Sequence, residues 1–170
     1  MAHHYLNMSK SIDRRLRVNQ NPLRQFYDMP LESITILERV NAYVDRLMDM
    51  TAQEIGGLAH NQKMGPKLYD HIRMLPLLHV EAFVQPLTRG VIHMNLELRA
   101  SFQWSDRYHG HVESFWIWVE DGENEFIYHS ESFLLNKKHL RDVHKLDFVI
   151  PVKDPMPPQV TCQLVYYIRM

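Results

Sequence analysis

Three basic residues near the start of the chain have the spacing of a single helix face. Lys10, Arg14 and Arg17 lie four and three positions apart, so on a helix their side chains share one side. Arg24, just after Pro22, adds a cation where such a helix should end. Aligned cations can follow the phosphates of a nucleic acid strand, and a face that only meets solvent is the alternative.

A second basic segment has the chemistry of a phosphate site. Lys63-Met64-Gly65-Pro66-Lys67 places a glycine and a proline at the start of a helical pattern. Backbone N–H groups at a helix start bind phosphate, and Lys63 and Lys67 would assist. The alternative is a helix-loop-helix unit that only packs, and spacing alone leaves both interpretations open.

The sequence contains no motif that indicates catalysis. The sequence has no GxxxxGK[ST] phosphate loop and no HExxH, GxSxG or GxGxxG motif. The 11 histidines are scattered, and we expect surface or hydrogen-bonded side chains rather than a metal site. The single cysteine, Cys162, excludes an internal disulfide and is interpreted as a small residue of a strand. We therefore predict a chain without catalytic residues, metal or cofactor of its own.

Composition narrows the class of protein. The 170 residues are 45% hydrophobic, which is enough for a buried core. Since 19 Lys and Arg balance 20 Asp and Glu, no global field drives binding to nucleic acid or to a membrane. No apolar run approaches the roughly 18 residues of a membrane span, which favours a soluble intracellular protein without membrane partners.

The elements that must position the basic residues change type near Pro76. Before it the apolar residues have helical spacing, which predicts helices around the apolar stripes at 5–16 and 31–40 and shorter helices over 44–50, 51–60 and 66–75. Thr51 and Glu54 have the spacing of a capping box. After it the period becomes two, as in Val91-Ile-His-Met-Asn-Leu-Glu-Leu-Arg99. Short strands without long intervening helices predict an antiparallel sandwich, and hence an α+β chain with a boundary near 76–77.

One predicted strand is unusually aromatic. Residues 114–131 read SFWIWVEDGENEFIYHSE, and Phe115 to Val119 are apolar at both parities. Asp121-Gly122-Glu123-Asn124 predicts a hairpin turn. Trp116 and Trp118 could stack on a ligand, but aromatic residues of a middle strand commonly fill a sandwich core, so we expect them in the core.

Several motifs occur together in the order found in one family. They are 21–26 (NPLRQF), 85–89 (QPLTR), 102–104 (FQW), 108–110 (YHG), 116–121 (WIWVED), 128–131 (YHSE) and 157–159 (PPQ). This order resembles the Sec sixty-three-type accessory domain of large superfamily-2 RNA helicases.

The resemblance implies a division of the chain and a role. It implies the end of a helical bundle at 1–28, a helix-loop-helix module at 29–76 and an immunoglobulin or fibronectin-like sandwich at 77–170. In that family a bundle helix lines the channel of the single strand, so Lys10, Arg14, Arg17 and Arg24 become candidates for contact with RNA or DNA. The implied partners are the helicase motor domains and other complex subunits, the implied location is the nucleus and cytoplasm, and ATP and magnesium would belong to the absent motor.

The sequence also departs from the family pattern, and two alternatives stay open. Val160 to Val165 stand between Pro-Pro-Gln and the Tyr-Tyr-Ile-Arg-type strand that follows it directly in the family. We expect an incomplete sandwich with an exposed edge, marginal stability and a tendency to associate. The alternative functions are a protein-interaction scaffold, and a fragment of a protein-translocation component of the endoplasmic reticulum.

Overall fold

The computed structural model describes residues 8, 11, 12, 16, 17, 20–121, 127–152 and 160–166. Within this part the chain is helical first and then forms antiparallel strands, so the predicted α+β class is confirmed. Lys10, Arg14 and Tyr5 of the first predicted helix lie outside the described residues. Met8 and Ile12 are helical and exposed, whereas Leu16 and Arg17 are not in a helix. The prediction that Leu16 and Arg17 belong to the first helix was therefore wrong.

The helical region, residues 20–76, contains four α-helices and two short 3-10 helices. The α-helices are α1 (Leu31–Arg39), α2 (Val44–Met48), α3 (Ala52–Leu58) and α4 (Gly65–Arg73); the 3-10 helices are Pro22–Gln25 and Gln62–Met64. The predicted capping box is present at α3, where the Thr51 backbone N–H donates to Glu54 Oε2 at 2.7 Å and Thr51 Oγ1 accepts from the Glu54 N–H. These caps satisfy N–H groups that the helix itself leaves unpaired.

One hydrophobic core holds the helical region together. Its fully buried side chains come from all four α-helices and from the Pro22–Gln25 helix, and they include Leu23, Ile34, Leu37, Ile55 and Leu68. Tyr108, from the later part of the chain, belongs to the same core. It thereby connects the helical region to the strands.

The β region, residues 77–166, is a sandwich of two three-stranded sheets. Its strands are β1 (Leu78–Thr88), β2 (Val91–Ala100), β3 (Val112–Asp121), β4 (Ile127–Asn136), β5 (Val143–Pro151) and β6 (Val160–Tyr166). The sheet orders are β1-β2-β5 and β4-β3-β6, with antiparallel pairing throughout. A one-turn helix, α5 (Asp106–His109), and the 3-10 helix Lys137–His139 lie between strands. Residues 160–165, which interrupt the family pattern, are part of β6.

The inner faces follow the predicted alternation of side chains. Ile92, Met94, Leu96 and Leu98 of β2 are buried against Ile117 and Val119 of β3. Because successive side chains point to opposite faces of a strand, every second side chain of each strand faces this core.

The same alternation corrects the expectation for the tryptophans. Phe115, Ile117 and Val119 are buried on the inner face of β3, so Trp116 and Trp118 must point outwards. Trp116 is 43% exposed and lies opposite Ser132 of β4. The interpretation of Trp116 as a core residue was wrong, whereas Trp118, on the same outer face, is half-buried.

Candidate nucleic-acid interface

The Asn21-Pro-Leu-Arg-Gln-Phe26 motif folds into a tight turn. Asn21 Oδ1 accepts from the Leu23 backbone N–H at 3.0 Å, and Asn21 Nδ2 donates to the Ala42 carbonyl at 3.1 Å. Pro22 opens the 3-10 helix, and Leu23 and Phe26 enter the core. The motif therefore has a structural explanation that does not require a ligand.

Arg24, the basic residue of this motif, forms an internal ion pair. Its guanidinium donates to both carboxylate oxygens of Glu38 on α1, at 2.7 Å from Nε and 2.6 Å from Nη2. Glu38 also accepts from the Asn21 backbone N–H at 2.8 Å. The hydrogen bond from Arg24 lowers the pKa of Glu38, so the pair is ionised at neutral pH. A phosphate would have to compete with this bidentate contact.

Lys67 also has a partner inside the chain. Its ammonium donates to the Asp28 carbonyl oxygen at 2.5 Å and lies 3.5 Å from Asp28 Oδ2. The N-terminal end of α4 is likewise in contact with other parts of the chain. Gly65 is buried, its N–H donates to the Gln62 carbonyl, and a side chain there would meet the Ala52 carbonyl oxygen at 2.2 Å. These contacts support the interpretation of this segment as packing.

Asp28 is the centre of a partly buried polar junction that the sequence did not indicate. Its Oδ1 lies 3.1 Å from His71 Nε2 on α4 and accepts from the Tyr108 hydroxyl at 3.0 Å. Burial alone would raise the pKa of Asp28, but the Tyr108 hydrogen bond and the nearby His71 and Lys67 lower it below its usual range. The junction joins the turn, α4 and the α5 segment, and so fixes the helical region to the sandwich.

Arg17 and Lys63 are the exposed residues among those predicted cations that the structure describes. Arg17 lies before the turn, and its backbone N–H donates to Gln20 Oε1 at 2.9 Å. Lys63 lies on the Gln62–Met64 helix. Among the residues that the structure describes, neither side chain has an ion-pair partner. These two cations are therefore free to meet an anionic ligand.

The described residues offer little else for ligand chemistry. They contain no group of three His, Cys, Asp or Glu side chains that could hold a metal ion. No helix in the described ranges is long and apolar enough to cross a bilayer. A cleft lined by Phe102, Trp104 and Arg141 is the feature that sequence reasoning missed, although Phe102-Gln-Trp104 was among the family motifs.

Comparison with known proteins shows the family of the chain and its similarity to short segments of helicases. The family model of the Sec63 Brl domain matches residues 1–167. The chain is 42% identical to activating signal cointegrator 1 complex subunit 3 of Mus musculus, with 99% of the chain and 8% of the relative covered. It is 39% identical to the U5 small nuclear ribonucleoprotein 200 kDa helicase of Homo sapiens, over 97% of the chain and 7% of the relative.

A yeast relative shows the same pattern. The RQC trigger complex helicase SLH1 of Saccharomyces cerevisiae is 38% identical over 94% of the chain and 8% of its own length. The chain thus spans less than a tenth of each of these relatives.

Proposed function

Because this chain belongs to the Sec63 Brl domain family, we propose that it is a non-catalytic accessory domain of an ATP-dependent helicase that contacts single-stranded RNA or DNA. The family match over nearly the whole chain carries the proposal. ATP and magnesium would act in the motor domains of a longer protein. We place it in the nucleus or the cytoplasm, and the name of the U5 small nuclear ribonucleoprotein 200 kDa helicase supports the nucleus.

The contact with a nucleic-acid strand rests on cations that have no ion-pair partner within the described ranges of the chain. Arg17 and Lys63 are exposed. Lys10 and Arg14, which the sequence groups with Arg17, are further candidates for the same contact. Arg24 and Lys67 would have a smaller part, because each is already held by an acidic residue or a carbonyl. A single-stranded nucleic acid that binds along these cations would release counterions from its phosphates.

The test is the salt dependence of binding to a labelled single-stranded oligonucleotide. Replacing both Arg17 and Lys63 by alanine removes two phosphate contacts, so the slope of log affinity against log salt should fall by about 1.4. Arg46→Ala, at an exposed position of α2, is the matched control and should change nothing. An unchanged slope in the double variant would refute the contact.

A second function, docking on protein surfaces, is favoured by the outer face of the β4-β3-β6 sheet. Trp116 is 43% and Leu134 is 59% exposed there, and their neighbours Ser130 and Ser132 are small and uncharged. An apolar surface of this kind suits the motor domains or another subunit rather than phosphates. Replacing Trp116 and Leu134 by serine should weaken binding to purified motor domains of a relative and leave oligonucleotide binding intact. Equal calorimetric affinities before and after the change would argue against docking.

A further inference from the structure

A cleft of about 570 Å³ lies where β2 ends and β5 begins. Its aromatic side is formed by Phe102 and Trp104, whose rings are half-buried and stacked, 5.9 Å apart at an interplanar angle of 28°. Leu140 and Val143 contribute apolar surface. The size is that of a small-molecule site, and flat aromatic surface suits a planar ligand.

A hydrogen bond and contacts with a buried histidine ring fix the positions of the two aromatic rings of the cleft. Trp104 Nε1 donates to the Gly110 carbonyl at 3.1 Å, and both rings lie 5.2 Å from the ring of His109, which is 1% exposed. Burial lowers the pKa of His109, so it is neutral and has one donor and one acceptor nitrogen. Nε2 donates to the Met74 carbonyl at 2.8 Å, which leaves Nδ1 to accept from the Ser105 N–H. The stacked Phe102 and Trp104 rings, called the Trp104 platform below, are therefore fixed to the end of the helical region without any ligand.

The charges around the cleft favour an anionic ligand. Arg99 is paired with Glu97 at 3.2 Å and with Glu81 at 3.6 Å. Asp142 is also paired, because its Oδ2 lies 2.8 Å from His139 Nδ1. Arg141 is exposed and has no ion-pair partner among the described residues, so its guanidinium is the available charge at the edge.

From this arrangement we propose that the cleft binds one nucleotide of a single strand, with the base stacked on the Trp104 platform and the phosphate on Arg141. The proposal rests on the proposed function, because it assigns a second contact to the same strand. Aromatic stacking combined with cations is the usual way in which single strands are bound without sequence preference. The Trp116 face has exposed aromatic surface but no neighbouring cation on the described part of its sheet face, which is why the cleft is the better nucleotide site.

The first experiment uses the 170-residue chain and adenosine 5′-monophosphate. Titration followed by NMR should shift the indole N–H resonance of Trp104 and leave that of Trp116 unchanged. An unshifted Trp104 resonance would overturn the proposal. So would a shift that appears with an acidic peptide containing tryptophan but not with the nucleotide, since that outcome identifies a peptide site.

The second experiment separates the cleft from the basic residues of the helical region. Arg141→Glu should reduce affinity for a labelled oligouridine about tenfold, whereas Lys138→Glu, an equal charge change at an exposed position outside the cleft, should have less effect. Trp104→Leu should give a similar loss. Equal affinities of the two charge variants would overturn the cleft assignment while leaving an effect of Arg17 and Lys63 intact. A Trp104 shift with no effect of Arg17 and Lys63 would support the cleft and contradict the other contact.

Discussion

The helical region and the β region differ in where their ion pairs lie. In the helical region Arg24 pairs with Glu38 and His71 pairs with Asp28, and all four side chains are at most 25% exposed. In the β region Lys137 and Lys145 are also paired, but each is more than half exposed. The difference indicates that the pairs of the helical region help to fix its internal packing, whereas those of the β region lie on its surface.

Truncation of the same residue type in both regions should give the largest contrast. Leu37→Ala removes a side chain with 0% exposure and should cost about 2 to 5 kcal/mol of unfolding free energy because it leaves a cavity. Leu134→Ala, at 59% exposure, should change the free energy by less than about 0.5 kcal/mol. Urea unfolding of both variants measures this. Similar losses would mean that the outer face of the sheet is covered in solution.

A glycine pair tests the close packing of the helix-loop-helix. Gly65→Ala should destabilise the chain by about 1 to 3 kcal/mol, since the new Cβ would meet the Ala52 carbonyl oxygen at 2.2 Å. Gly57→Ala is the matched control in α3, where the nearest atom is a side-chain nitrogen at 3.6 Å. It should stabilise the helix by about 0.5 to 1 kcal/mol. Thermal melting distinguishes the two, and a stabilising Gly65→Ala would contradict the packing.

The Arg24–Glu38 pair predicts a smaller, pH-dependent effect. The folded pKa of Glu38 is lowered by Arg24, so its stabilisation is complete above the ordinary value of 4.5 and is lost as the pH falls through the lowered value. Glu38→Gln should therefore cost about 1 kcal/mol at pH 7 and progressively less in more acidic solution. Unfolding measured at several pH values checks this, and a loss that grows on acidification would have the wrong sign.

Local patterns predicted much of the fold. The capping box at Thr51, the apolar spacing of α1 and the alternation in β2 each depend on neighbouring residues, and all three are present. The outward direction of Trp116 was harder to predict from the sequence. Odd- and even-numbered residues of β3 are both apolar, so only the position of the opposing sheet decides which of them face the core.

The candidate site was harder to predict because its contacts are distant in sequence. Whether Arg24 is free depends on Glu38, which a turn and a helix bring within 2.6 Å. Likewise, the cleft combines 99–104 with 140–143, and Tyr108 reaches a core formed by residues before 76. Spacing identifies cations but does not reveal which of them are neutralised.

The central claim is that this chain is an accessory domain that contacts a single strand, and fluorescence anisotropy of a labelled single-stranded RNA tests it most directly. With Arg17, Lys63 and Arg141 each meeting a phosphate, the slope of log affinity against log salt should be about −2. Absence of binding at low salt, or an affinity that does not change with salt, would contradict the account.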